Sequence, residues 1–311
     1  MPSAPAASPI PSPATAPCSE SIEVSVEVIL QGLVSGLLMG FVYALIAAGL
    51  SLIFGLMEIV NFAHGEFLML AMFATFWAWA LARLDPLTSL PITVGLLFLL
   101  GVAVYHGLIR WILGAPMLAQ IFATFGLAIF LRAAAQALWG VDFKLVKGPL
   151  ADGRLAVGGL FIGLPQLAAS VGALAAFGFL YWFITRTETG LALQATAQDR
   201  QAASLMGIDT QRMFALGWGI GAACVGAAGA LLAMFFYIFP DVGATFALLA
   251  YVTVALGGFG NVPATLAAGV VVGMVEVLAG LLIAPAFKYA VVFALYLVVV
   301  LWRPQGLFGR F

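Results

Sequence analysis

The chain has 311 residues, of which 64% are hydrophobic and 8% are charged. Soluble domains carry roughly 25% charged residues. Twelve Lys and Arg with thirteen Asp and Glu cannot coat a globule of this length, which excludes a soluble monomer. A formal net charge of −1 without any Lys/Arg cluster argues against a nucleic-acid partner.

The charge-free intervals place the apolar excess. None of the four charged types occurs between Glu27 and Glu58, Asp85 and Arg110, Arg110 and Arg132, Arg154 and Arg186, Arg212 and Asp241, or Asp241 and Glu276. Each interval exceeds the roughly 18 apolar residues that nominate a membrane span. The expected fold class is an all-α polytopic membrane protein with about eight or nine transmembrane helices and a short cytoplasmic helix. The runs are continuously apolar rather than alternating, which disfavours a β-barrel.

In chain order, residues 1–27 read as a disordered Pro/Ala/Ser-rich leader without the basic start and apolar core of a secretory signal. Residues 28–311 form the transmembrane domain. The first span covers about 28–54, long enough to tilt or break near Gly49–Gly55. The second covers about 64–82 and stops at Arg83–Pro86. A third at about 91–113 precedes a turn at Gly114–Pro116, and a fourth covers about 117–139. The loop at 140–156 is polar and glycine-rich. A fifth span covers about 158–184, followed by the polar stretch 185–210. The sixth is about 211–238, ended by Pro240-Asp241. Residues 244–284 exceed one span and are split at Gly257–Pro263. The last span is about 287–302. Placing 185–210 in the cytoplasm also puts Arg110, Arg303 and Arg310 there, a slight positive-inside bias.

Cys18 and Cys224 suggest neither a disulfide framework nor a zinc site, and Cys224 reads as a small buried hydrophobe. His64 and His106 are the only histidines, too few for a His-rich metal site. No cofactor or metal is expected. Gly32/Gly36/Gly40, Gly217/Gly221 and Gly269/Gly273 form small-residue ridges that let helix backbones approach closely. They predict tight packing within the chain, with a dimer seam as the lesser alternative.

Three segments stand out. Glu58, Asn61, His64 and Glu66 lie within nine residues between two apolar runs. If helical, Glu58, Asn61 and His64 share one face. Polar groups at membrane depth usually face a bundle interior, a pore or water. They are pathway or gate candidates; the plainer alternative is an interfacial turn with Asn61 capping the next helix. The stretch 189–212 reads as a helix over 192–206, closed by Gly207 in a left-handed C′ position, with Asp209 as the N-cap of the next span. Its polar side holds Gln194, Gln198, Asp199, Arg200 and Gln201, and its apolar side Ala195, Ala202, Leu205 and Met206. The glycine-rich Gly257–Thr265, with Asn261, resembles the broken helices of transport pathways. No phosphate-binding loop with Lys-Ser/Thr is present. Glu276 lies deep in an apolar run, and Arg132 shares a helix face with Gln136. An intramembrane Glu–Arg pair offsets the burial of each, and pairing is the favoured reading for both.

Gly49-Leu-Ser-Leu-Ile-Phe-Gly55, followed by Asn61-Phe-Ala-His-Gly65, resembles the N-terminal signature of ABC-importer permeases for branched-chain amino acids, the LivH/LivM family. Residues 191–208 look like that family's coupling loop. The turn Gly257–Pro263 and the ending Arg303–Gly309 also match, in the same order. The similarity covers about 28–311. The LivH side fits better, because the chain is short and lacks an extra N-terminal helix or an appended ATPase domain.

The resemblance implies a subunit of the cell inner membrane that is not itself an enzyme. Two permease subunits, identical or different, form the pathway. Cytoplasmic ABC ATPase subunits dock on the coupling segment, and a periplasmic or lipid-anchored binding protein delivers substrate. Carried onto this chain, the docking residues are Gln194, Gln198, Asp199, Arg200, Ala203 and Gly207. Asn61 and His64 fall near the cytoplasmic mouth. The family's common substrates are leucine, isoleucine and valine, while relatives move urea or other small organic solutes. A self-sufficient secondary carrier needs several ionisable groups in its spans, for which Glu276 and Arg132 are thin support. An intramembrane enzyme needs a nucleophile paired with a base, and the spans hold none.

Overall fold

The structure, a computed structural model, describes residues 26–148 and 150–307. The leader through residue 25, with Cys18, and Arg310 of the C-terminal ending lie outside the described residues. Among the described residues, eight helical stretches are long and apolar enough to cross a membrane. The protein is therefore an all-α, multi-pass membrane protein.

Helix α1 (Val26–Met57) is 32 residues long and unbroken, including Gly49–Gly55. Its glycines serve contact rather than bending. On one side Gly36 and Gly40 meet α11 (Val262–Leu282). A Cβ on Gly36 would lie 2.9 Å from the Gly273 carbonyl, and one on Gly40 2.8 Å from that of Gly269. On the other side Gly49 meets α9 (Thr210–Leu232), 2.6 Å from the Gly221 carbonyl by the same measure. The expected ridges thus pack within the chain, where the absence of side chains permits backbone contact. Cys224 is buried at this seam.

α2 (His64–Ala82) ends at Arg83, whose left-handed backbone accompanies closing N–H bonds to Ala78 and Trp79. Asp85 then caps α3 (Pro86–Val104) by accepting from the Leu87 N–H, with Pro86 at the first helical turn. A π turn at Tyr105–Ile109 carries the span into α4 (Arg110–Ile112). α5 (Met117–Trp139) follows. The region read as a loop and the start of a fifth span is a hairpin, β1 (Arg154–Val157) with β2 (Leu160–Gly163), paired Val157 to Leu160. Its two-residue turn is Gly158–Gly159, both at positive φ, the backbone that a tight hairpin requires. α6 (Leu164–Arg186) therefore begins six residues later than expected.

The polar stretch is two short helices, α7 (Glu188–Gln198) and α8 (Arg200–Leu205). α9 ends at Leu232, earlier than the expected 238, and the chain to Asp241 is irregular. α10 (Val242–Gly257) has 16 residues, fewer than the roughly 20 that span a bilayer. The split at 257–263 is present: α11 starts at Val262, with Asn261 as its N-cap. A short 3-10 turn at Pro285–Phe287 leads into α12 (Lys288–Trp302).

The bundle has two faces. Gln31 of α1 bonds both ways with Phe161 of the hairpin, which defines one face. The far end of α1, the end of α6, α7, the α10–α11 turn and Gln305 together line a cleft of about 980 Å³ on the other. α1 and α9 form the buried centre, whereas α5 and α12 are largely exposed.

Candidate functional site

The expected one-face cluster does not form. Glu58 ends α1 at φ 57° and is exposed, on the rim of the cleft. From there residues 58–61 run without helix to His64. His64 Nε2 donates to the Ile46 carbonyl at 2.9 Å. Ile46 stands eleven residues, about 16 Å, up α1 from Met57. Residues 58–63 are thus an irregular passage inside the bundle. Helix spacing failed here because the passage is held by other elements rather than by its own ladder. Tyr251 of α10 donates to the Asn61 carbonyl at 2.5 Å. The Thr124 hydroxyl of α5 lies 3.2 Å from the Val60 carbonyl. Asn61 Oδ1 accepts from the Ala63 N–H at 3.0 Å, closing the turn just before α2 rather than capping the helix itself. Irregular backbone at membrane depth is tolerated where protein groups satisfy it.

Three polar atoms in this run have no hydrogen-bond partner although buried: Asn61 Nδ2, His64 Nδ1 and Glu66 Oε2. Glu66 Oε1 accepts from Arg132 of α5, through both Nη2 and Nε. Arg132 Nη1 lies 3.7 Å from Asp241, the residue before α10. Glu66 is 3% exposed, Arg132 33% and Asp241 61%. The N-termini of α2 and α10 meet here, with Gly65 and Gly243 in backbone contact.

Arg132 therefore pairs with Glu66, not with Glu276. Glu276 has its own partners: Lys288 Nζ donates to Oε1 at 2.7 Å, and the Tyr43 hydroxyl donates to Oε2 at 2.5 Å. This cluster ties α1, α11 and α12 together. Sequence reading missed Asp241, taken as a helix stop, and Tyr43, taken as part of an apolar run. The signal for Asp241 was its position, an isolated carboxylate between two apolar intervals.

On the cleft face, Asp199 breaks the helix at φ −152° and caps α8 by accepting from the Gln201 and Ala202 N–H groups. Gly207 has φ 84°, the Ile208 N–H bonds back to the Ala203 carbonyl at 3.0 Å, and Asp209 caps α9, as the sequence predicts. The break turns α8 so that the expected apolar side is not the buried one. Leu205 and Met206 are 88% and 83% exposed. Leu193, Thr196 and Ala203 are buried instead. Ala203, at 4% exposure, is a buried support beneath the tip. Gln194 turns inward and donates to the Ile184 carbonyl at 2.6 Å. Gln198, Asp199, Arg200 and Gly207 are exposed, and the Arg200 guanidinium lies 5.0 Å from the Phe214 ring centre. Asn261 lines the cleft with Glu58 and Gln194.

Comparison with known proteins agrees in one direction. The model of the family described as the permease component of the branched-chain amino acid transport system matches residues 32–300. The high-affinity branched-chain amino acid transport system permease protein BraD of Pseudomonas aeruginosa is 30% identical over 281 residues, 86% of this chain and 92% of its own. LivH of Escherichia coli K12 is 30% identical over 282 residues, covering 86% and 91%. A probable LivH of Methanocaldococcus jannaschii is 26% identical over 85% of this chain and 88% of its own. No solved structure matches the chain.

Proposed function

Because the chain belongs to the family of branched-chain amino acid transport permease components, we propose that it is the membrane-spanning subunit of an ATP-driven importer in the cell inner membrane. ATP is hydrolysed by cytoplasmic partner chains, and this subunit carries no catalytic residue. A second permease completes the pathway, and a periplasmic or lipid-anchored binding protein supplies leucine, isoleucine or valine. Glu58, Asn61, His64, Glu66 and Asn261 line or gate that pathway. Glu276 has both oxygens occupied and serves structure instead.

The observation that carries the reading is the α7–α8 unit. It is a folded, capped projection with an apolar tip, Leu205 and Met206, flanked by Gln198 and Arg200. Exposed apolar residues rimmed by polar ones mark a protein contact. Its root packs on α6, beside the cleft that the α10–α11 turn also lines. A partner that moves this unit therefore presses on the elements around the cleft. Membrane lipid surrounds the remaining apolar exterior.

The test is purification of the tagged chain in mild detergent, followed by reconstitution with its companions. Recovery of ATPase subunits and a second permease, with ATP-dependent leucine uptake, is the expected result. Arg200→Glu is expected to lower uptake at least tenfold while the chain stays in the membrane. Leu205→Asp with Met206→Asp is expected to release the ATPase. A chain that purifies alone and transports without ATP is instead a secondary carrier. An intact complex that takes up urea but no amino acid overturns the substrate.

A further inference from the structure

The cluster at the start of α2 and α10 is chemically incomplete. Six buried side-chain atoms lack a hydrogen-bond partner among the described residues, and three of them lie in residues 61–66. Leaving such a group unpaired costs about 1–3 kcal/mol. Three such groups in one short run therefore need an account. Glu66 Oε2 is the sharpest case, a carboxylate oxygen from a side chain only 3% exposed.

The charges do not balance either. Two carboxylates, Glu66 and Asp241, face one guanidinium, Arg132. Asp241 is held loosely, at 3.7 Å, and is the most exposed of the three. The cluster opens on a surface that is otherwise apolar: Phe122, Ile129 and Phe130 of the same helix are 69%, 56% and 66% exposed. Arg132 stands seven residues before Trp139, about 10 Å inside the end of α5. Charged side chains at such depth face a bundle interior or a water-filled cavity rather than lipid.

Asp241 directly precedes α10 and Glu66 lies in the first turn of α2, and these two helix N-termini converge at Gly65 and Gly243. Helix N-termini carry partial positive charge and favour a carboxylate. The site thus sets a guanidinium and two helix starts beside two carboxylates, one of them with a free oxygen. That pattern complements a group bearing an ammonium and a carboxylate on one carbon.

We propose that the Glu66–Arg132–Asp241 cluster, at the junction of α2 and α10, receives the ammonium and carboxylate of a free α-amino acid as it crosses the membrane. The ammonium is taken by Asp241 and Glu66 Oε2. The carboxylate is taken by Arg132. The inference rests on the transport reading above and names the part of the substrate that this chain contacts. An amine without the carboxylate, or a 2-oxo acid without the ammonium, satisfies only half of the site.

Two experiments test it. In the reconstituted complex, Asp241→Asn is expected to reduce leucine uptake at least tenfold while assembly with the ATPases persists, and Asp241→Glu to restore much of it. Arg132→Gln alone strands Glu66, so the companion is the double change Glu66→Gln with Arg132→Gln, also expected to assemble but not to transport. Uptake by Asp241→Asn at the wild-type rate overturns the proposal. The second experiment needs no transport and so stands apart from the importer reading. Gln136→Cys, one turn of α5 beyond Arg132 and outside the cluster, in a Cys18→Ser background with Cys224 buried, is treated with a membrane-impermeant thiosulfonate from the hairpin face. Labelling that millimolar leucine slows several-fold, and that isobutylamine or a branched 2-oxo acid slows less, is the expected result. A cysteine that never reacts lies against lipid, and labelling that leucine leaves unchanged denies an amino-acid site. Either outcome overturns the proposal.

Discussion

Glu276 and Glu66 are both buried carboxylates that meet a cation from another helix, yet only Glu276 has both oxygens engaged. Lys288 and Tyr43 close its cluster from α12 and α1. Glu66 keeps one oxygen unpaired, and its cation leans toward a third, exposed carboxylate. A saturated ionic cluster holds helices in place and has nothing left to offer a solute. An unsaturated one contributes less to stability and retains capacity to bind. On the proposed reading, the same residue type in the same apolar setting serves two ends, decided by how many partners the fold brings.

Substitutions can break or sharpen this contrast. The largest expected effect is at the saturated cluster. Lys288→Met leaves Glu276 charged and buried, at an expected loss of about 3–5 kcal/mol, read as a lowered unfolding temperature in detergent. Adding Glu276→Leu to that variant should recover most of the loss, since a buried pair replaced by apolar groups is often neutral. The double change Arg132→Gln with Glu66→Gln should destabilise less, by about 1–2 kcal/mol, because it removes both charges together and strands neither. Equal losses at the two sites would erase the contrast. Tyr43→Phe removes one partner of Glu276 and should lower stability by about 1 kcal/mol while leaving uptake near wild type. Asp241→Asn should change stability by no more than about 0.5 kcal/mol, yet it is the variant expected to lose transport.

Much of the architecture was legible where local chemistry decides it. Arg83–Pro86 reads as a stop and a start, and the structure has a left-handed cap, an Asp N-cap and a helical Pro there. Gly207 and Asp209 likewise close one helix and open another. The glycine ridges on α1, α9 and α11 were legible as contact faces. The passage at 58–63 was not, because Tyr251 and Thr124 hold it from 190 and 64 residues away. Local spacing is a weak prior against such partners. Hydropathy gave the depth of Arg132 and Glu276 but not their neighbours, so the pairing was drawn between the wrong two. The segment 191–208 misled for a further reason. Asp199 satisfies a cap as readily as a polar helix face, and the break it makes rotates Leu205 and Met206 outward.

The double seam along α1 has a mechanical consequence. Gly36 and Gly40 seat it against α11, and Gly49 seats it against α9, so no layer of side chains can slide on either side. At 32 residues, about 48 Å, it reaches from the hairpin face to the cleft. A rod gripped on both flanks does not swivel or buckle by itself. The three helices must travel as one block, and any difference in position between the two faces has to be taken up by what surrounds them: the unladdered passage at 58–63, the short α10 and the loosely attached α5 and α12.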